Sequence, residues 1–254
     1  MFFLNHRVTM QIHSNMKMAE VIHLNYQLLP IISRFEINLG FGEKTIKQVC
    51  HEYSIDVDFF LEIINSFHNK DYFPKKNLQG FSLKLIVEYL QKSHYYYLQT
   101  KIPHIELLLH QISNFFSGIE SATFHSIDHF FTEYKNELTD HIQREEDKVY
   151  PYVYAVETAF LNRNPTKEIV SRIRDYSMND FKDEHDNVED KLYDLKNILI
   201  KYLPLPVDPQ LCQTILIELF RLETDLNDHT RIEDKILVPK VKYMEKWILE
   251  HFTL

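Results

Sequence analysis

Two stretches of this chain are near copies of one another, and they constrain its fold more than any other feature. Residues 140–151 read DHIQREEDKVYP and residues 228–239 read DHTRIEDKILVP. Each is D-H-x-x-x-E with a proline ten residues beyond the histidine, Pro151 in the first and Pro239 in the second. In a helix, positions i and i+4 lie one above the other on the same face. His141 with Glu145, and His229 with Glu233, therefore each present an imidazole and a carboxylate in one direction. A single H-x-x-x-E occurs on many surface helices. Two in matching contexts imply a duplicated unit built around one metal ion or a bridged pair.

The flanking sequence has the pattern of long helices. Only four glycines and nine prolines occur in 254 residues, which leaves few tight turns and argues against many short strands. Helical patterns run over about 82–110, 121–156, 166–202 and 209–252. The turn formers Ser117-Gly118, Asn162 to Pro165, and Pro204 to Pro206 fall between them. Four such helices with short connections predict an all-α, up-down-up-down four-helix bundle over residues 79–254. Pro103 is expected to kink the first helix, and Pro151 and Pro239 to bend or end the regular part of the second and fourth. Residues 1–78 read as a small helical module. Its first 15 or so residues have no pattern and are expected to be loose. Met18 to Ile37 reads as one helix or a pair broken around Pro30. Two further helices follow, capped by Thr45 and Asp56. Residues 69–80, with proline, glycine and paired lysines, read as a linker.

The repeat extends beyond the two copies. His94 precedes His141 by 47 residues and His185 precedes His229 by 44, so each half is a hairpin with one histidine on its first helix and H-x-x-x-E on its second. An antiparallel bundle can bring His94, His141, Glu145, His185, His229 and Glu233 to one level. Four imidazoles and two carboxylates suit two non-haem iron ions with carboxylate bridges, although ligand type alone leaves zinc or manganese open. A lone histidine on an apolar stripe reads as a core residue satisfied by a hydrogen bond. Six such groups buried together would be costly without a cation.

At 100° per residue, Glu145 and Glu137 flank His141 at about 40° on either side, whereas His129 and His125 lie about 120° and 160° away. The His125/His129 pair is thus expected on another face. Glu137, and Glu184 beside His185, are candidates for carrying protons or guiding iron, and as carboxylates they also read as ordinary surface groups. Glu146, Asp147 and Asp234 point off the stripe and read as a solvated face. Tyr97, one turn past His94, reads as core packing. Competing metal patterns fail. The only E-x-x-H, Glu20 to His23, lies in the wrong region, and His51-Glu52 does not continue to H-E-x-x-H. No G-x-S-x-G, P-loop or G-x-G-x-x-G occurs.

A net charge of −9 and a pI near 5.9 disfavour a nucleic-acid partner. No window approaches the ~18 apolar residues of a membrane span, and the N-terminus lacks the pattern of a secretory leader. The expectation is a soluble, cytoplasmic protein. Cys50 and Cys212 are far apart with no C-x-x-C context, and read as two reduced thiols. The oligomeric state is left open.

Together, SHYYYL around His94, DHIQREEDKVYP, DEHDNVEDKL around His185 and DHTRIEDKILVP resemble the hemerythrin-like domain of the repair-of-iron-centres proteins, over about residues 82–245. The resemblance implies metal ligands at His94, His141, His185 and His229, with bridging carboxylates at Glu145 and Glu233. It also implies two non-haem iron ions, oxo- or carboxylate-bridged, and a role in repairing iron–sulfur clusters after nitrosative or oxidative damage. NO or O2 would be the small ligand, and damaged iron–sulfur proteins the macromolecular partners. The leading module is similar to that family's short leading domain, except that Gly40-Phe41 stand where the family carries a cysteine pair. That departure puts the repair activity in question and raises a second reading, a di-iron sensor or carrier of NO or O2 without turnover. A third is a metal-free helical interaction protein.

Overall fold

Helix starts in the leading part of the chain are set by groups that satisfy the first free N–H donors. The computed structural model describes residues 10–72, 78–115, 122–178, 181, 188–202 and 208–252. Thr45 opens α3 (Ile46–Glu52) with a capping box, its hydroxyl accepting from Gln48 N–H while the Gln48 side chain accepts from Thr45 N–H. Asp56 caps α4 (Val57–His68) by accepting from Phe59 N–H at 2.8 Å. Between α1 (Met18–Leu24) and α2 (Leu29–Arg34) the helix breaks at Asn25, which is extended, and not at Pro30. Proline is tolerated in a first helical turn, where its missing N–H has no partner to lose; Asn25 instead caps the short 3-10 turn that follows.

The expectation of a loose leading segment fails for residues 10–15. Ile12 is buried, and the Asn65 amide grips its backbone, accepting from Ile12 N–H at 2.8 Å and donating to its carbonyl at 2.9 Å. The carbonyls of Ser14 and Met16 accept from Lys47 and Ile46 N–H. This segment therefore satisfies donors at the start of α3, a pairing no local pattern announces. Phe35 packs edge-on against Phe60 and Phe59 inside the same unit. Gly40 and Gly42 both have positive φ, which only glycine adopts without strain.

The chain divides into two compact units, Met1–Leu85 and Ile86–Leu254. The boundary falls in the first turn of the next helix, a few residues past the expected one. The second unit is an all-α, up-down-up-down bundle, and no strand occurs among the described residues. Its first helix is α5 (Leu83–Tyr96) continued by α6 (Ile102–Phe115). The second is α7 (Ala122–Arg144) continued by α8 (Tyr150–Asn162), and the fourth is α11 (Pro209–Ile232) continued by α12 (Val238–His251). The third is interrupted, as α9 (Lys167–Asp175) and α10 (Val188–Tyr202). Each helix packs on the next in chain order and the fourth closes on the first. Along the first helix, Lys101, Tyr97 and His94 meet Glu218, Asp225 and His229 in turn, so the first and fourth run antiparallel. Tyr97, Ile105, Phe131, Leu138, Leu195 and Leu222 belong to the apolar core at one end. No helix among the described residues is long and apolar enough to cross a membrane.

Three prolines shape this bundle, though not by ending helices. Just ahead of each, the helix widens into one π turn: Tyr97–Lys101 before Pro103, Glu145–Val149 before Pro151, and Glu233–Leu237 before Pro239. In each, the residue preceding the proline donates its N–H five residues back, Ile102 to Tyr97, Tyr150 to Glu145 and Val238 to Glu233. A proline ring clashes with the carbonyl four residues before it and cannot donate to it. One extra residue in the preceding turn moves that carbonyl aside, and the helix continues.

The third helix departs from the continuous one expected over residues 166–202. Thr166 caps α9, but Tyr176 is extended and the regular helix stops. The cause lies on the fourth helix. Buried Glu245 accepts from Met178 N–H at 2.9 Å and from the Tyr152 hydroxyl, replacing an intrahelical partner that the break removes.

Ion pairs, one buried and one at the surface, clamp neighbouring helices. Lys101, in the first π turn, pairs with Glu218, and both side chains are largely buried. Lys191 pairs with Glu137 at the surface. Lys101→Ala is expected to cost about 3 kcal/mol, because it removes a cation from a desolvated carboxylate. Lys191→Ala should cost under about 1 kcal/mol. Urea unfolding of the two variants checks this; equal losses would contradict the assigned burial.

Candidate metal centre

The two H-x-x-x-E copies end at the same structural point. His141 and His229 stand in the last turn of α7 and α11, and Glu145 and Glu233 are the first residues of the π turns that follow. The local geometry is duplicated as well: His141 Nε2 to Glu145 Oε1 and His229 Nε2 to Glu233 Oε1 are both 3.4 Å. His94, from α5, completes a group of four. One ligand atom each from His94, Glu145, His229 and Glu233 lies within 4.8 Å of all the others. Glu145 and Glu233 are 0 % and 1 % exposed, and both histidines are buried.

His94 is held at both nitrogens. Its Nδ1 donates to Glu146 Oε1 at 2.7 Å, and Glu146 Oε2 accepts from Gln91 Nε2 at 2.6 Å. That assigns the Nδ1 proton and turns Nε2 inward, 3.1 Å from His229 Nε2 and 3.2 Å from Glu145 Oε2. Burial alone would push the imidazole down, but hydrogen bonds to Glu145 and Glu146 and the charges of Glu145 and Glu233 outweigh it, raising His94 to about 9. Glu146, expected on a solvated face, is thus a part-buried partner of a site histidine. Off the core stripe of its own helix, it faces the neighbouring helix, and only the packing of the two decides what it meets.

Tyr150 was not singled out by sequence reasoning. It is fully buried, its hydroxyl donates to Glu233 Oε1 at 3.1 Å and lies 3.5 Å from His94 Nε2, and its ring stacks on His94 at 5.6 Å and 10°. Burial first, then the charges of Glu233 and Glu145, hold the phenol well above its ordinary range. On an unbroken α-helix, a residue five beyond Glu145 falls about 140° round the axis. The proline that follows Tyr150 was the available signal.

His141 touches Glu145 but stands outside the tight group of four, with its Nδ1 3.3 Å from the Arg144 guanidinium. Glu137 is exposed and paired with Lys191. His185 and Glu184 lie outside the described residues. His129 is exposed and pairs with Glu133 at 3.4 Å, and the side chain of His125 lies outside the described part. Tyr97 is buried core, its ring edge-on to His229 and its hydroxyl donating to Asp225.

The donor set fits a cation. Imidazole and carboxylate together suit first-row divalent metals such as iron, manganese or zinc. Two carboxylates withdrawn from water are expensive, and a bound cation offsets that cost directly. In the metal-free protein, protonated His94 partly takes that role. Its pKa is raised on folding, so its contribution is complete below the unfolded value near 6.5 and is lost as pH rises through about 9. Metal-free protein should therefore lose up to about 3 kcal/mol of stability between pH 6.5 and 9. His94→Gln should flatten that slope; thermal melts across this range provide the measurement.

A family model, the hemerythrin HHE cation-binding domain, matches residues 104–241. The matched span contains both D-H-x-x-x-E copies and His185, while His94 stands ahead of it. No curated protein matches the chain. The family model accounts for over half of the chain, with both duplicated pairs inside it, and the protein belongs to the hemerythrin HHE cation-binding family.

Proposed function

We propose that this is a non-haem di-iron protein of the repair-of-iron-centres type, acting in the cytoplasm on iron–sulfur clusters damaged by nitrosative or oxidative stress. The observation that carries this reading is the convergence of His94, Glu145, His229 and Glu233 in the bundle core. They come from helices in the order in which the repair family's ligands occur. In this reading His141 and His185 would join His94, Glu145, His229 and Glu233 in holding two irons. Iron held there would supply redox chemistry and an open coordination position for NO or O2.

The chain's own residues prepare that chemistry. Glu146 fixes the His94 tautomer, and burial removes competing water and strengthens every charge interaction in the site. Glu137, one turn before His141 and exposed, and Glu184, next to His185, are the groups assigned to moving protons or guiding iron from solvent. The leading unit is read as the counterpart of the family's short leading domain.

A second reading, a sensor or carrier that binds NO or O2 without turnover, is favoured by one observation in that unit. Gly40 and Phe41 occupy the place of the cysteine pair, and the unit's one cysteine, Cys50, is fully buried. Burial and the nearby Asp56 push its thiol up to about 12, too high for a reactive thiolate.

Metal analysis of the purified protein is expected to give two irons per chain with a visible spectrum. Glu145→Ala or Glu233→Ala should remove most of that iron, and unchanged content would refute the ligand assignment. Restoration of a damaged cluster enzyme or consumption of NO by the iron-loaded protein supports the repair reading. A gas-bound spectrum with neither supports the sensor. Colourless, metal-free protein contradicts both.

A further inference from the structure

The duplication that builds the centre is broken at one informative place. In each copy, the residue just before the proline closes the π turn by donating its N–H to the site glutamate's carbonyl. This residue is Tyr150 in the first copy and Val238 in the second, and both are buried. A turn closed over five residues absorbs one extra residue, so the position returns to roughly 40° from the glutamate, as if only four residues separated them. The first π turn thus aims the Tyr150 phenol into the site. The matching position of the second copy carries only an isopropyl group.

We infer that Tyr150 is a positioning residue of the metal centre, whose hydroxyl orients the carboxylate of Glu233 from the opposite half of the duplication and so makes the two halves inequivalent. Three observations bear on it. The hydroxyl donates to Glu233 Oε1 at 3.1 Å, the ring lies flat against His94, and the position is inaccessible to water. A neutral donor on one carboxylate oxygen limits rotation of that carboxylate and leaves its second oxygen as the better electron donor to a cation. Val238, at the matching position of the second copy, has no hydroxyl to donate. Tyr97 is a built-in control: it is equally buried and its ring touches His229, yet its hydroxyl goes to Asp225 and not to a site carboxylate.

The inference rests on the four-residue group being a cation site, and Co(II) titration of metal-free protein tests the two separately. Wild type that binds no Co(II) removes the metal reading itself. If wild type binds, Tyr150→Phe should weaken Co(II) by about tenfold or more and shift its visible absorption bands, while Tyr97→Phe leaves affinity within about threefold. Equal affinity and spectrum in Tyr150→Phe, or equal losses in both variants, would overturn the positioning role. Should Tyr150→Phe fail to fold, wild type labelled with 13C-tyrosine decides the matter. Zn(II) should then move the Tyr150 ring resonance far more than that of Tyr97, and a stationary Tyr150 resonance overturns the inference.

Discussion

Glu145 and Glu233 carry negative charge into a part of the bundle that water does not reach, and the arrangement around them follows from that cost. Imidazoles stand against both carboxylates, and one of them, His94 from the first helix, is fixed in its tautomer by Glu146. A phenol donates to one of the two. A cation, or a proton on His94, offsets that charge. The same requirement suits the cluster to a cation, and each of its four residues stands on a helix of the bundle or at the start of the π turn that continues it.

The π turns connect that electrostatic demand to the backbone. Each is provoked by a proline that cannot accept the regular helix ahead of it. Each also re-phases the residues beyond it by one position. Two of the three begin at a site glutamate. A feature that relieves a steric clash thus also decides which side chains enter the centre, and Tyr150 is the clearest case. The third, after His94, turns Lys101 into the core, where Glu218 neutralises it.

The interruption of the third helix has a comparable origin. Its sequence is compatible with one helix from Thr166 to Tyr202, yet buried Glu245 competes for the Met178 N–H and the helix gives way at Tyr176. A cleft of about 590 Å³ opens at this break, lined in part by Arg144, Lys148, Arg172 and Asp175. Irregular backbone here stands beside the helix that carries His141 and Glu145.

What the sequence determined by itself was the periodic and the repeated. The four helices in outline, the caps at Thr45 and Asp56, and the paired His141/Glu145 and His229/Glu233 were legible, because i,i+4 spacing and capping are properties of a few consecutive residues. The internal repeat likewise singled out His94, which packing then set against His229. Tertiary structure decided the rest. Ile12 is held by Asn65 from 53 positions away, Glu146 turns to His94 on another helix, and Tyr150 reaches Glu233 only after a π turn has rotated it inward. In each case the deciding partner is distant in sequence, and a hydrogen bond between distant residues leaves no period behind for a local pattern to reveal.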